Sequence, residues 1–524
     1  MSKNIIKATG IILAVNLIVK LLGFVREAFI AGGFGASGYT DAYLVAYTIP
    51  YFLQAILGYA LVTAVVPILT KYWVDDDREQ AYHVGSSLIN LTAISMAILS
   101  VLGIFCAPAL VAVTAPNLPA PVAANAIVMT KIMFPAVFFM GVGMVLTGVL
   151  NSRYSFAVAA FAPGASNIII ILAVIFFAST GIFSLAWGTL ISFAAFFIIQ
   201  IFPLRRTGFR YRFILDLKHP AVKGVMLDIW PIILGVAVNQ IYLLLNRVFA
   251  SGMGEGSISA LNYAGKLMNL PIGIFVAAVA TAVYPLLAEK ALQKDTRGLG
   301  ETMNRGLGLV GLVALPSAVG LIVLREPIVQ LLFQHGQFDA FDTQITAYAL
   351  LFMTFGLFFA AVNMILTRAY YATGDVKMPV VIGLVSIGVN VAASLAFMST
   401  LQHGGLALAN SLALASNTIL LYYFLRKRLP SMGTRSDVIS MVKMVIASIT
   451  MGVVLYGVLF VFRASGPSGA FGLLMEVCVA MLAGVVTYLV VAKVLGVKEI
   501  NEVVNLLAKK LKKQPKMIDS EQTR

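Results

Sequence analysis

The chain has 524 residues, of which 60% are hydrophobic and 11% are charged, and its formal net charge is +15. Soluble globular proteins carry about 25% charged residues, so this composition excludes a water-soluble enzyme. The apolar residues also come in long runs of roughly 20 residues rather than on one face of a helix. Because every polar backbone group in hydrocarbon must be satisfied within its own segment, such runs predict membrane-spanning helices.

These runs predict an all-α polytopic membrane protein with about fourteen transmembrane helices. The first run follows a basic N-terminus and is interpreted as the first spanning helix rather than a cleaved signal, because it is long and carries charges. The two cysteines lie in apolar runs without metal-ligand spacing, so buried thiols are expected. The predicted helices lie near residues 8–32, 41–71, 84–112, 127–150, 157–180, 183–204, 229–251, 260–288, 304–324, 342–372, 379–400, 404–426, 438–462 and 470–494.

The distribution of lysine and arginine predicts the orientation of these helices. If the N-terminus is cytoplasmic, only Lys131, Arg325 and Arg463 fall in outer segments, and most of the 37 basic residues fall in cytoplasmic ones. This asymmetry follows the positive-inside rule and predicts that both termini are cytoplasmic. The basic residues are spread over loops without interleaved aromatic residues, so a nucleic acid is not expected as a partner.

An internal repeat relates the two halves of the chain. The segment Thr63–Leu69 reads TAVVPIL and the segment Thr281–Leu287 reads TAVYPLL, at an offset of 218 residues. Each repeat unit holds six predicted helices, and an even number makes the two units parallel, with a substrate path between them. This organisation predicts an N-lobe (1–225), a C-lobe (226–430), an additional helix pair (431–497) and a basic cytoplasmic tail (498–524).

Charged side chains within the predicted helices mark candidate functional positions. A charge at the bilayer centre costs roughly 3 kcal/mol or more, so such a side chain usually faces a cavity or a partner. In one interpretation, Lys20, Arg26 and Lys266 surround an anionic head group such as a diphosphate, which accepts charge-assisted hydrogen bonds. In the alternative, Arg26 or Lys266 pairs with Glu27 or Asp41 to hold helices together. Both interpretations hold if Arg26 closes an outer gate with Glu27 or Asp41. A phosphate would then open the gate by competing for the arginine.

Other polar residues suggest weaker sites. Asn246 and Asn390 could coordinate a cation, or they could form hydrogen bonds between helices. The sequence shows no nucleotide-binding loop, metal-ligand cluster or nucleophile constellation, so we expect no enzymatic activity, no cofactor and no metal. Transport would then be driven by the membrane potential or by a coupling ion.

Eight segments recur in a characteristic order along the chain: Leu22–Glu27, Thr40–Tyr43, Val66–Leu69, Leu150–Asn151, Ala162–Pro163 with Asn167, Tyr263–Met268, Leu332–Phe338 and Tyr370–Pro379. Together they resemble the MurJ lipid II flippase family (the mouse virulence factor family) of the MOP exporter superfamily. The resemblance extends from the first predicted helix to at least the twelfth. It implies two six-helix lobes plus two further helices, a central cationic cavity and alternating access.

The resemblance implies roles for individual residues. Arg26 matches one of the family's cavity arginines, which hold the diphosphate. Lys20 and Lys266 stand where the family commonly has arginine, which keeps the charge but loses the bidentate fork. Gln54 stands where many members have another arginine, and Glu27 replaces a common aspartate.

The resemblance also implies a function, a location and partners. The substrate would be lipid II, moved across the bacterial cytoplasmic membrane, with membrane lipids and cell-wall synthesis proteins as partners. The family's sodium site uses a carboxylate where this sequence has Asn246, which leaves ion coupling open. Alternatives are a flippase for another polyprenyl-diphosphate saccharide, a MATE-like antiporter and a scaffold for cell-wall enzymes. A positive cavity disfavours cationic drugs, and a scaffold requires no charges within the membrane.

Overall fold

The computed structural model describes residues 3–465 and 469–500, excluding the side chains of residues 3–13, 231, 234–239 and 465. Within these ranges the chain forms α-helices, two π-helical turns and one 3₁₀ turn, and no strand occurs. The basic tail predicted beyond residue 500 lies outside the described residues.

Nineteen α-helices are described, of which the first eight precede residue 207. These eight are α1 (Lys3–Phe34), α2 (Gly38–Leu53), α3 (Tyr59–Val74), α4 (Arg78–Thr114), α5 (Ala120–Met133), α6 (Ala136–Ser152), α7 (Phe156–Phe177) and α8 (Phe183–Arg206). The others are α9 (Pro220–Ala250), α10 (Ser257–Pro271), α11 (Ala277–Leu292), α12 (Thr296–Val323), α13 (Arg325–Phe333), α14 (Ala340–Thr354), α15 (Leu357–Ala372), α16 (Lys377–Leu401), α17 (His403–Arg428), α18 (Arg435–Ser465) and α19 (Gly469–Val494).

The all-helical membrane class predicted from the sequence is confirmed. Among the described residues, ten spans are long and apolar enough to cross a membrane. Two bent pairs, α5 with α6 and α14 with α15, bring the total to as many as twelve. The remaining long helices, α1 and α9, have 32 and 31 residues. Fourteen spans therefore remains a prediction, although each predicted window coincides with a helix or helix pair.

Three local features differ from the sequence prediction. The windows 127–150 and 342–372 were expected to be single helices, but the structure bends them by 42° and 46°. Pro135 lies at the first bend and has no N–H to donate to the preceding turn, and Gly356 lies at the second. The prediction that Cys106 and Cys478 are buried was wrong, because both are exposed. An apolar side chain on a spanning helix can face lipid as readily as protein.

The internal repeat has a structural counterpart in the helix breaks. A π-helical turn separates α2 from α3 at Gln54–Gly58, and another separates α10 from α11 at Ile272–Val276. Their offset of 218 residues equals the offset of the sequence repeat. The same offset relates Asp77 to Asp295, which cap the N-termini of α4 and α12 through the N–H groups of Gln80 (3.2 Å) and Gly298 (2.8 Å). The two halves thus share local backbone geometry as well as residue patterns.

The Asp295 cap is also an electrostatic site outside the spans. The Gly298 N–H and the Lys290 ammonium, whose Nζ lies 3.2 Å from Asp295 Oδ2, hold the pKa of the Asp295 carboxyl below its usual range. The carboxylate therefore stays charged at neutral pH, and its negative charge interacts favourably with the positive N-terminal end of the helix dipole.

The chain divides into two compact units that do not coincide with the two halves of the sequence. The first unit contains residues 1–266, 332–349 and 391–406, and the second contains 267–331, 350–390 and 407–524. The lobe boundaries proposed from the repeat, at 225/226 and 430/431, remain predictions. Within the second unit, α18 and α19 pack on α12 through a core that includes Met444, Met451, Leu455 and Tyr488.

The first unit contains the residues on which the functional argument depends. In this unit α7 packs against α8, and α1 packs against α7. The unit has a core that includes Tyr43, Met129 and Ile170. The segment between α8 and α9 follows the N-terminal part of α4, where Asn90 donates hydrogen bonds to the carbonyls of Arg212 (3.2 Å) and Ile214 (2.8 Å). This packing fixes a segment that forms no helix of its own.

Candidate functional site

A buried carboxylate on α1 gathers two basic side chains. Glu27 is 3% exposed and forms an ion pair with the adjacent Arg26. Its Oε1 also lies 3.5 Å from the Nζ of Lys266 on α10, and its Oε2 accepts a hydrogen bond of 3.2 Å from Asn262. We call these four residues the Glu27 cluster. One carboxylate and two cations leave the Glu27 cluster with an excess of positive charge.

Asn167 on α7 holds the Arg26 guanidinium from another side. Its Oδ1 accepts a hydrogen bond of 3.1 Å from Arg26 Nη1, and its Nδ2 donates to the Val19 carbonyl at 3.3 Å. The second bond fixes the orientation of the amide so that its oxygen points at Arg26. The Nε–H of Arg26 is buried and has no hydrogen-bond partner among the described residues. A buried unsatisfied donor is costly, so Arg26 retains the capacity to bind an acceptor.

The structure therefore brings together three of the charged residues selected from the sequence. Arg26 and Lys266 each form an ion pair with Glu27, while Lys20 lies six residues before Arg26 on α1 with an exposed side chain. The Lys266 side chain is 43% exposed, so its ammonium is accessible. Breaking a buried ion pair leaves an uncompensated charge and is strongly unfavourable. An anion that binds Arg26 and Lys266 must therefore compete with Glu27.

Asp41 forms a different set of contacts. It is buried, and its Oδ2 accepts a hydrogen bond from the Gly256 N–H (2.9 Å). Its Oδ1 accepts from the N–H (2.8 Å) and hydroxyl (2.5 Å) of Ser259. These N–H groups belong to the start of α10, where the first turn of a helix leaves donors unsatisfied and favours negative charge. Asp41 therefore binds a helix N-terminus.

Glu255 makes the reciprocal contact. It precedes α10, and its Oε1 accepts a hydrogen bond of 2.9 Å from the N–H of Gly38, the first residue of α2. Each helix N-terminus is thus capped by an acidic residue from the other segment. We call this arrangement, formed by Asp41, Glu255 and the starts of α2 and α10, the acidic clasp. Asp342 adds a third carboxylate, which accepts a hydrogen bond of 2.9 Å from the Ala36 N–H.

The reciprocal partners could be predicted only in part. The sequence analysis selected Asp41 as a site residue but not Glu255, Asp342 or Asn262, and it named Asn167 only within a segment of the family resemblance. The repeat offers one signal, because Gly35 and Gly256 are 221 residues apart, close to the offset of the sequence repeat. In the structure both glycines have positive φ values, of 65° and 80°. Equivalent loops before α2 and α10 were thus inferable, but which carboxylate accepts from which N–H was not.

The loop that carries the acidic clasp requires a glycine at position 256. Its φ of 80° is unfavourable for residues with a side chain, and a Cβ there would overlap the Ala36 carbonyl oxygen. We expect Gly256→Ala to destabilise the fold by about 2–4 kcal/mol, of which the left-handed backbone accounts for about 1–2 kcal/mol. Thermal unfolding of the purified protein in detergent measures the loss.

A matched control separates the two contributions. Gly374 has a similar φ of 77°, but no atom lies within 4 Å of a Cβ built there. Gly374→Ala should therefore cost only the backbone strain. Equal losses in the two variants would contradict close packing of the loop that carries Gly256.

The two asparagines of the candidate cation site belong to different compact units of the chain. Asn390 is fully buried, and neither its Oδ1 nor its Nδ2 has a hydrogen-bond partner among the described residues. The Oδ1 of Asn246 is likewise buried without one. Over the described part of the chain, no group of three or more His, Cys, Asp or Glu residues could hold a metal ion. The cation site remains a prediction.

Comparison with known proteins places these features in a family context. A family model described as lipid II flippase MurJ matches residues 30–476. A lipid II flippase MurJ of Burkholderia cenocepacia is 32% identical over 435 residues, which cover 81% of this chain and 84% of the relative. A probable lipid II flippase MurJ of Buchnera aphidicola is 28% identical and covers 95% of this chain and 99% of the relative.

Solved structures show the same fold. A lipid II flippase MurJ in an inward closed conformation superposes with a TM-score of 0.78 at 24% identity and covers 92% of this chain and 98% of its own. An inward-facing MATE-family transporter of the MOP superfamily superposes with a TM-score of 0.67 at 16% identity, over 80% of this chain and 98% of its own. At these identities the similarity concerns the fold alone.

Proposed function

The chain belongs to the lipid II flippase MurJ family, and we propose that it moves lipid II, an undecaprenyl-diphosphate-linked peptidoglycan precursor, from the inner to the outer leaflet of the bacterial cytoplasmic membrane. The observation that carries the proposal is the Glu27 cluster, where two cations share one buried carboxylate. A diphosphate carries the charge and the acceptor oxygens that Arg26 and Lys266 are suited to bind.

In the proposed mechanism the diphosphate displaces Glu27. Glu27 links Arg26 of the first half to Lys266 of the second half. When a diphosphate binds these cations, that link weakens and the contacts between α1 and α10 rearrange. The acidic clasp then opens on the side that carries the α1–α2 loop, which we propose to be the outer side. Both termini are then cytoplasmic, as the distribution of basic residues predicts.

The membrane potential supplies a driving force for this step. Each negative charge that moves outward across a membrane with a negative interior releases about 2.3 kcal/mol per 100 mV. A diphosphate carried without a compensating cation therefore moves down its electrical gradient. A coupling ion, for which Asn246 and Asn390 are the candidate residues, is the alternative driver. The proposal requires no cofactor and no enzymatic step.

Three departures from the family pattern favour a second candidate substrate. Lysine at positions 20 and 266 and glutamine at position 54 reduce the bidentate contacts available to a diphosphate. A related polyprenyl-diphosphate saccharide is therefore the second candidate. A cationic drug is not favoured, because the Glu27 cluster has an excess of positive charge. Partners are membrane lipids and cell-wall synthesis proteins.

Complementation tests the proposed function. A bacterium depleted of its own lipid II flippase is expected to survive when this chain is expressed, and lipid II should reach its outer leaflet. Membrane fractionation must show that the protein is inserted. Failure to rescue despite normal insertion would contradict lipid II transport and favour the second candidate, which a flux assay with other polyprenyl-diphosphate saccharides would then detect.

A further inference from the structure

Three tyrosines form a stacked ladder on α2. Tyr43, Tyr47 and Tyr51 are four residues apart, a spacing that places side chains on one face of a helix. Their ring centroids are 5.9 and 5.7 Å apart, with interplanar angles of 25° and 28°. Side-chain exposure rises along the ladder: Tyr43 is 3% exposed, Tyr47 is partly buried and Tyr51 is 41% exposed.

The buried end of the ladder is fixed in place. The Thr189 hydroxyl donates to the Leu185 carbonyl at 2.8 Å, so the Tyr43 hydroxyl donates to Thr189 Oγ1 at 3.0 Å. Tyr47 packs against a small core that includes Met140 and Phe193. The Tyr51 ring is therefore held at the exposed end, with one face on Tyr47 and much of the rest accessible.

The ladder also runs past the proposed diphosphate site. The Tyr47 phenol lies close enough to the Arg26 guanidinium for the two groups to interact electrostatically. A loop of three residues joins α1 to α2, and two spanning helices joined by so short a loop cross the membrane in opposite directions. Tyr51 lies about 6 Å of helix rise beyond Tyr47, and Lys20 lies about 9 Å before Arg26 along α1. The exposed tyrosine is therefore on the same side of Arg26 as Lys20.

We propose that the Tyr47–Tyr51 end of the ladder is a saccharide subsite, an inference that rests on the proposed function. A pyranose has an apolar C–H face and a rim of hydroxyls, and tyrosine matches it with an apolar ring and a polar tip. The sugar is bonded directly to the diphosphate, so a diphosphate on Arg26 places the sugar within a few ångströms of the ladder. Its C–H face stacks on Tyr51, and its hydroxyls bond to the phenol groups.

The polyprenyl tail is a poorer occupant of this subsite. It has no hydroxyl to satisfy the two phenol groups, and Lys20 places a charge on the same side of Arg26. A role for Tyr51 as an aromatic anchor at the membrane interface is the competing explanation. The two differ in what they require, because an anchor has no dependence on a sugar.

The experiment compares two lipids on the purified full-length chain. One is undecaprenyl diphosphate, and the other is the same lipid bearing its saccharide. We expect Tyr51→Ala to weaken binding of the glycosylated lipid by about fivefold to tenfold, while binding of the bare diphosphate lipid changes by less than about twofold. Tyr51→Phe should retain most of the affinity, because the ring remains. Tyr59→Ala, at an exposed tyrosine beyond the π-helical turn, should change neither affinity.

Each outcome decides the question. Equal losses for the two lipids, or no loss for either, would overturn the subsite and favour a structural or interfacial role for Tyr51. A wild-type protein that binds neither lipid would instead overturn the proposed function, and the subsite with it. Melting temperatures of the variants check that Tyr51→Ala remains folded, which its exposed position predicts.

Discussion

Replacing Arg26 with alanine is expected to reduce lipid II transport by more than about 100-fold while the protein still inserts into the membrane. The variant loses at least two charge-assisted hydrogen bonds to a diphosphate, each contributing roughly 1.5–3 kcal/mol. Folding should persist because Glu27 keeps its contacts with Lys266 at 3.5 Å and Asn262 at 3.2 Å, so the buried carboxylate is still compensated. Flux of fluorescent lipid II in proteoliposomes measures the effect.

Two further variants separate charge from geometry at this position. Arg26→Lys keeps the charge but loses the planar fork, so we expect a loss of about tenfold. Asn167→Ala keeps Arg26 but removes the amide that orients it, so its effect should also be intermediate. Normal flux through Arg26→Ala would contradict a diphosphate site at the Glu27 cluster.

The sequence predicted the helices well because long apolar runs have few alternatives in a membrane. Every spanning helix must satisfy its own backbone, so hydrophobic length alone locates it. The short α13, Arg325–Phe333, was missed because nine residues cannot fill a spanning window. The π-helical turns at Gln54–Gly58 and Ile272–Val276 were also missed, since a shift from i→i+4 to i→i+5 bonding leaves no compositional signal.

Candidate site residues were predictable by type but not by partner. A charge within a spanning helix must have a cavity or a counter-charge, and this argument selected Arg26, Glu27 and Lys266. It could not choose between pairing with Glu27 and pairing with Asp41, because that choice depends on helix rotation. In the structure Glu27 faces the cations, whereas Asp41 accepts hydrogen bonds from α10.

The Glu27 cluster and the acidic clasp differ in how a ligand affects them. The Glu27 cluster is held by ion pairs, for which a phosphate can compete directly. The acidic clasp is held by hydrogen bonds from backbone N–H groups to carboxylates. It contains no cationic side chain for which a diphosphate could compete. Binding would thus act first at the Glu27 cluster, and the acidic clasp would open as a consequence of the rearrangement of α1 and α10.

Asp41→Ala is therefore expected to weaken closure of the α1–α2 loop. The variant leaves the N–H groups of Gly256 and Ser259 and the Ser259 hydroxyl without their acceptor. Unsatisfied buried donors cost roughly 1–3 kcal/mol each, and water can relieve part of this once the loops separate. We expect the equilibrium to shift by about 2–4 kcal/mol toward separated loops, together with a lower melting temperature.

A cysteine in the loop measures that shift. Cys106 and Cys478 are exposed, so both are first replaced with serine, and Ala36, which is 6% exposed, is changed to cysteine. A membrane-impermeant maleimide added to whole cells should label Cys at position 36 slowly in the parent and at least tenfold faster with Asp41→Ala.

Glu255→Gln is the matched control, because its amide oxygen can still accept from the Gly38 N–H, so labelling should change little. Equally slow labelling of the parent and Asp41→Ala would mean that Asp41 does not hold the loop closed. Fast labelling that is the same in both would mean that the loop is already open, or that its side chains are reached without opening of the acidic clasp.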